Sequence, residues 1–280
     1  MEIEDVGLNP QRLAEAIHRQ MGEHPGPVPV CEIALALDID EIRAEPLTNL
    51  EAALVTTAER DRGKILLNST SSVKRRRFSL SHELLHFLNQ THEQTAADGF
   101  YCIRKDMLAS KITQDRHVRQ ESEANTFAIE LLTPRHRLKP FLKGAPDLAK
   151  VVSVAAEFEI SREASARRFV ELHPDDLAVV FCKDSRFTYA DNGKGFPPLS
   201  IRRGDQCNLG KPAESTVSDF DEVAADDWLV AVGHSCELSI QTLWQANGHS
   251  ITLLRSVTAD EDDDPGFEDA FERFSGGKNR

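Results

Sequence analysis

Two histidines and a glutamate stand close enough in the chain to work on one metal ion: His82, Glu83 and His86, in the run His82-Glu83-Leu84-Leu85-His86. Side chains four residues apart on a helix rise from the same face, so both imidazoles can reach a single zinc. Glu83 then sits beside the ion, where its carboxylate can take a proton from water that the ion has made acidic, the general-base step of peptide hydrolysis. The competing reading is a pair of surface or half-buried histidines on an amphipathic helix, and the helical setting that the pattern requires weighs against it.

Catalytic zinc usually takes three protein ligands and keeps a fourth position open, so a third ligand must come from elsewhere in the chain. Glu121 and Glu123 are the candidates. Glu121 lies four residues before Asn125, so the two share a helix face and Asn125 can hydrogen-bond a metal-bound imidazole from behind. That spacing favours Glu121, with Glu123 as the alternative, although glutamates on helices are ordinarily solvated. Cys102 falls between the two histidine- and glutamate-bearing segments. A thiolate is a strong zinc ligand, so Cys102 is a candidate inhibitory ligand that would fill the open position; the plainer reading is a small buried hydrophobe beside Phe100 and Tyr101. Peptide hydrolysis also needs charge stabilisation beyond the metal, for which His92, Tyr101 and His117 are candidates that spacing does not separate.

These side chains need elements to carry them. Leu84, Leu85 and Leu88 give the motif segment helical periodicity, predicting a helix from Ser72 or Phe78 to Asn89. A second helix is predicted over Glu121 to Leu132, stopped by Thr133-Pro134. Upstream, Leu13, Ala14, Ile17 and Met21 mark a helix over Pro10 to Met21, broken at Pro25-Gly26-Pro27, and a short helix follows over Val30 to Leu37. The apolar runs Ala52 to Thr57 and Lys64 to Asn68, split by Glu59-Arg60-Asp61-Arg62-Gly63, read as a hairpin leading into the motif. Asp147 to Phe158 and Ser161 to Leu172 read as two helices joined by a tight turn, a helix-turn-helix shape. From Leu177 the β-rich runs Leu177 to Phe181, Trp228 to Val232, Glu237 to Leu243 and Ile251 to Val257 suggest a separate domain with its boundary near Asp175. An acidic stretch, Asp260 to Asp264, leads to a terminal helix ending near Phe274.

The 280 residues suffice for two or three domains, and 40% hydrophobic with 28% charged residues is a globular balance. No apolar run approaches the roughly 20 residues of a membrane span. The acidic start, Met1-Glu2-Ile3-Glu4-Asp5, lacks the features of a secretory signal, so a cytoplasmic location is expected. Five scattered cysteines without a C-x-x-C pair suggest reduced thiols rather than disulfides. A net charge of −13 opposes non-specific attraction to nucleic acid and suits a protein substrate better. The basic cluster Lys74 to Arg77 reads as a solvated helix face, and Glu157, Glu159, Glu163 and Glu171 among Arg162, Arg167 and Arg168 weaken any phosphate attraction of the helix-turn-helix segment.

The run Arg77-Phe78-Ser79-Leu80-Ser81-His82-Glu83-Leu84-Leu85-His86, followed by Glu121-Ser122-Glu123-Ala124-Asn125-Thr126-Phe127-Ala128-Ile129-Glu130-Leu131-Leu132-Thr133-Pro134, resembles the ImmA/IrrE family of zinc metallopeptidases over residues 25 to 172. By that resemblance His82, His86 and Glu121 are zinc ligands and Glu83 the catalytic base. Leu85 stands where the family often has glycine and Thr133 where it often has methionine; neither departure removes a chemical group. Members typically cut a helix-turn-helix repressor encoded beside them, relieving repression of phage, mobile-element, stress or defence genes. The layout is also similar to the CapP group of antiphage (CBASS) operon regulators, which act on a partner repressor after DNA damage. That likeness implies a C-terminal sensor domain, GAF-like as in relatives, with single-stranded DNA as a candidate activator.

The expectation is therefore an α+β fold: a zincin-like metallopeptidase domain over residues 1–140, a helix-turn-helix-like extension over 141–175, and a C-terminal α+β sensor-like domain with an acidic tail over 176–280. The expected cofactor is zinc and the expected substrate a protein. The alternative is a DNA-binding transcription regulator in which zinc is structural.

Overall fold

The computed structural model describes residues 6–104, 106, 115–207, 209, 217–230 and 236–258. The chain divides into two compact units, Met1–Leu172 and His173–Arg280. The first unit holds helices α1 (Pro10–Met21), α2 (Val30–Leu35), α3 (Val73–Leu88), α4 (Arg116–Leu132), α5 (Arg135–Leu138), α6 (Leu148–Glu157) and α7 (Arg162–Leu172), with strands β1 (Ile39–Glu45), β2 (Ala52–Thr56), β3 (Gly63–Asn68) and β4 (Gly99–Cys102). The second holds β5 (Leu177–Lys183), β6 (Arg186–Asn192), β7 (Asp221–Val223), β8 (Cys236–Trp244) and β9 (His249–Thr258). The fold is α+β, as expected.

In the first unit the strands form a sheet in the order β1-β3-β2-β4, antiparallel except for β1 beside β3. Helix α3 packs on β2 and β3 and meets α4 on its other side. Leu80, Leu84 and Leu85 of α3, Phe127 and Leu131 of α4, and Leu54, Ile65 and Phe100 of the sheet all join one buried apolar cluster. Through α3 and this shared apolar cluster the two motif-bearing helices are held to one another. Each also has its own start and stop. Ser72 Oγ accepts from Arg75 N at the beginning of α3 (3.3 Å), and the Asp115 side chain accepts from Val118 N at the beginning of α4 (3.3 Å). Pro134, which has no backbone N–H to give, follows the last residue of α4 by two.

Strand β4 reaches the edge of the sheet because Gly99 has no side chain. A Cβ there would stand 1.9 Å from the Leu54 carbonyl oxygen, too close for any other residue. The helix pair α6 and α7, expected as a separate extension, belongs to the first unit: Val154, Phe158 and Ile160 enter its apolar cluster. Arg168 of α7 is buried and pairs with the buried Glu130 of α4, Nη1 donating to Oε1 at 3.0 Å and Nη2 to Oε2.

The second unit's sheet runs β6-β5-β9-β8-β7, antiparallel throughout. The sequence does not foresee four of the strands: β1, β4, β6 and β7. The hairpin joining β5 to β6 turns on Asp184 and Ser185, both at positive φ (51° and 56°), and this pair lacks the glycine that usually marks such a turn. Charged Asp40, Glu41, Arg43 and Glu45 similarly hide β1, an edge strand with one buried end. The run from Trp228 is not a strand where it is described: Leu229 makes a single bridge to Leu199, after a short 3-10 turn at Ala225–Asp227. Val232 and the expected terminal helix lie outside the described residues. No helix among them is long and apolar enough to cross a membrane.

Candidate metal centre

Helix α3 projects His82 and His86 to one side, α4 brings Glu121 up to them, and β4 supplies Cys102. One donor atom from each of these four residues lies within 4.8 Å of the other three, and all four residues are buried. The facing nitrogens, His82 Nε2 and His86 Nε2, are 3.1 Å apart. Two nitrogens bound to one tetrahedral zinc at about 2.0–2.1 Å would stand roughly 3.3 Å apart, close to that spacing. Glu121 spans both rings, Oε2 at 3.1 Å from His82 Nε2 and Oε1 at 3.5 Å from His86 Nε2.

The other nitrogen of each ring is already engaged. His82 Nδ1 lies 2.9 Å from Asn125 Oδ1, the relationship expected from the spacing of Glu121 and Asn125. His86 Nδ1 lies 2.9 Å from Nδ1 of His92. Both Nε2 atoms are thereby turned to a single point. Among the described residues, Glu121 Oε1 and both oxygens of Glu83 are buried without a nitrogen or oxygen donor in good geometry, Glu83 having only the weak Cys102 thiol nearby, a costly arrangement unless a positive group shares the space. Two imidazoles, a carboxylate and a thiol form a donor set suited to zinc, so the residues fit the ion.

The charges respond to burial and to one another. Burial raises the Glu83 carboxyl to about 7, against the opposing pull of His82 and the Cys102 thiol. Burial lowers His86 to about 3 despite its contact with Glu121. For His82 burial is outweighed by Glu121, Glu83 and Asn125, which together raise it. Burial would also raise Glu121, but the two histidines hold it well below the usual carboxylate range. The Cys102 thiol is pushed well up, by burial first and then by the negative charges of Glu83 and Glu121.

The remaining sequence candidates separate. Glu123 lies on α4 outside the cluster and meets His92 Nε2 at 3.0 Å. His92 stands behind His86. Tyr101 falls between Phe100 and Cys102 on β4, so it faces the opposite side of the strand, and its hydroxyl donates to Asp98 Oδ2 (3.0 Å). His117, half-exposed, stands between two carboxylates, Nδ1 at 3.8 Å from Glu121 Oε1 and Nε2 at 3.6 Å from Asp106 Oδ1.

Sequence reasoning missed Arg60. It belongs to the charged run between two strands, yet it is buried, donating from Nη1 to the carbonyls of His86 (2.8 Å) and Asn89 and from Nη2 to that of His92. Its guanidinium lies 5.0 Å from the ring centre of Phe100, and Phe100 stacks on His86 at 4.6 Å. An arginine in a polar run carries no sequence signal for burial, so this support was not legible.

Residues 40–170 match the Peptidase_M78 family model, described as the IrrE N-terminal-like domain. The match spans both motif helices and supports the resemblance to the ImmA/IrrE metallopeptidases. No curated protein matches the chain. Among solved structures, a Mycobacterium tuberculosis transcriptional regulator is similar with a TM-score of 0.53, covering 89% of this chain and 88% of its own at 11% identity. At that identity the likeness shows the fold alone.

Proposed function

We propose that the chain is a zinc-dependent endopeptidase that cleaves a partner helix-turn-helix repressor, with His82, His86 and Glu121 as ligands and Glu83 as general base. The observation that carries this reading is the Glu83 carboxyl, fully buried beside the three ligand residues with no nitrogen or oxygen donor on either oxygen and only the weak Cys102 thiol near it. A structural zinc needs no such group; a hydrolytic one needs a base within reach.

Zinc bound there supplies Lewis acidity and makes water a nucleophile near neutral pH. Glu83 takes a proton from the attacking water as its oxygen bonds to the scissile carbonyl carbon. The same carboxyl returns that proton to the amide nitrogen as the C–N bond breaks, so the base ends as it began. Glu121, held between the two imidazoles, keeps their Nε2 atoms converged, and His117, which borders Glu121, is the candidate donor to the developing oxyanion.

Cys102 gives the site a resting state. Its sulfur stands among the ligand atoms, so coordination would fill the position that water needs. The second unit is assigned the sensing role, GAF-like by resemblance, with single-stranded DNA as its candidate activator and antiphage or stress genes as the regulated output.

The second reading, a DNA-binding regulator with a structural zinc, draws on the helix pair α6 and α7 and on the fold shared with a transcriptional regulator. Against it, Arg168 of α7 is buried on Glu130 and so withheld from phosphate. The deciding experiment incubates zinc-loaded protein with the helix-turn-helix protein encoded beside it, with and without single-stranded DNA. Cleavage that Glu83→Gln abolishes while zinc stays bound supports the peptidase; operator binding that Glu83→Gln leaves intact, with no cleavage, supports the regulator.

A further inference from the structure

We infer that His92 and Glu123 form a proton-ordered chain behind His86 that fixes the ring for metal binding, making both of them positioning residues of the centre. The inference rests on the reading of His86 as a ligand.

The order of protons follows from the two ends. His86 Nδ1 and His92 Nδ1 are 2.9 Å apart, and two imidazole nitrogens can bond at that distance only if one carries hydrogen and the other a lone pair. A ligating His86 gives the lone pair of Nε2 to the metal, so its proton sits on Nδ1 and is donated backwards. His92 Nδ1 must then accept, which places the His92 proton on Nε2. There it faces Glu123 Oε2 at 3.0 Å, a carboxylate that can only accept. The reverse order would set the His86 Nε2 proton against the metal and a His92 lone pair against an anion. One tautomer of each ring satisfies every contact.

The surroundings hold this chain in place. Asn89 Oδ1 accepts from Thr91 N (3.0 Å) and Thr91 Oγ1 (2.7 Å), and Asn89 O accepts from His92 N (3.0 Å), which turns the chain back and sets His92 behind His86. Arg60 fastens the same turn by its bonds to the Asn89 and His92 carbonyls. Phe100 closes one face of the His86 ring. Glu123 is steadied by Asn89 Nδ2 at 3.4 Å and Arg119 Nε at 3.7 Å. His82 is backed by a neutral amide, whereas His86 is backed through a second ring by an anion, which makes it the more strongly polarised donor.

The test measures zinc affinity of the full chain by competition with a chromophoric chelator. His92→Phe and Glu123→Ala should each lower affinity by about 10- to 100-fold, as loss of a partner behind a ligand does. Glu123→Gln should lie between them and wild type, because its amide oxygen still accepts from Nε2. Circular dichroism checks folding, and for a variant that fails to fold the tautomer in the wild type decides instead. In nitrogen-15 correlation spectra of the zinc-loaded protein, His92 should be neutral with its proton on Nε2. Unchanged affinity in folded variants, or a His92 proton on Nδ1, overturns the chain. The control is His86→Ala: if it leaves zinc affinity intact, the metal site itself is misassigned, a failure distinct from that of the chain behind it.

Discussion

Asn125 Oδ1 lies 2.9 Å from Nδ1 of His82, joining α4 to the first histidine of α3 across 43 residues of sequence. Its amide is oriented by a second bond, Nδ2 donating to Asp106 O at 3.1 Å, so the oxygen is the atom turned to the ring. His82 therefore carries its proton on Nδ1 and presents Nε2 to the metal. Asn125→Ala is expected to weaken zinc binding about 10- to 100-fold, and Asn125→Asp, which keeps an acceptor, to lose much less. A chelator competition titration distinguishes them; equal loss in both variants would mean that packing, not the hydrogen bond, is at work.

The contact between Asn125 and His82 was legible because its two partners sit on helices with clean periodicity, where a spacing of four fixes a shared face. Glu121, on the same face as Asn125, followed from the same rule, and the structure brings it to the histidines while Glu123, two residues on, points elsewhere. Cys102 was visible only as a residue type between two helices; that β4 would carry it into the cluster depends on Gly99 passing under Leu54, a tertiary fit that no local pattern encodes. Arg60 and the His92–Glu123 pair were missed for a related reason. Their partners are backbone carbonyls and ring nitrogens brought together by a turn, so residue spacing is silent about them.

Cys102 is buried among the ligand atoms, and removing its sulfur should open the position it faces. Cys102→Ala is expected to raise basal cleavage of the partner repressor several-fold while leaving Glu83-dependent chemistry unchanged. Alanine is small and apolar, so the strand should keep its place. The check is cleavage without any activator, and a basal rate equal to wild type would remove Cys102 from the regulation of the site.

Glu130 ties α4 to α7 and gives the first unit a pH-dependent part of its stability. Burial would raise its carboxyl, but hydrogen bonds from Arg135 and Arg168 outweigh it and lower the pKa below the ordinary value. A depressed folded-state pKa contributes stability that is present above the unfolded value, about 4.3, and is lost as pH falls through the folded one. Urea midpoints of the wild type should therefore drop on acidification below that range. Arg168→Ala should cost up to about 3 kcal/mol at neutral pH by removing one of the two arginines that hold the buried Glu130 carboxylate, and its acid-side loss should be smaller because Arg135 alone then lowers the pKa. If Arg168→Ala and wild type lose stability in parallel on acidification, another group sets the pH dependence.

Arg60 ties the end of α3 to the turn that holds His92. Helix C-termini leave carbonyls without partners inside the helix, and here one buried guanidinium takes up three, those of His86, Asn89 and His92. Replacing it with Met keeps much of the apolar stem but strips the donors, and hydrogen bonds to a charged group are worth about 1.5–3 kcal/mol each, so a net loss of about 3 kcal/mol is expected once water reaches the exposed carbonyls. Arg60→Lys should recover little, because one ammonium cannot reproduce a planar fork that reaches several acceptors. Arg60 also sits at φ 52°, a left-handed conformation that disfavours arginine and suits glycine, so Arg60→Gly relieves backbone strain while removing the side chain. If the carbonyl bonds dominate, urea denaturation will show Arg60→Gly destabilised despite that relief, and zinc affinity will fall with it because His92 is no longer held behind His86. A glycine variant as stable as wild type would instead mean that the strain cancels the bonds, and the support of the metal centre would then have to come from Phe100 and the turn at Asn89 alone.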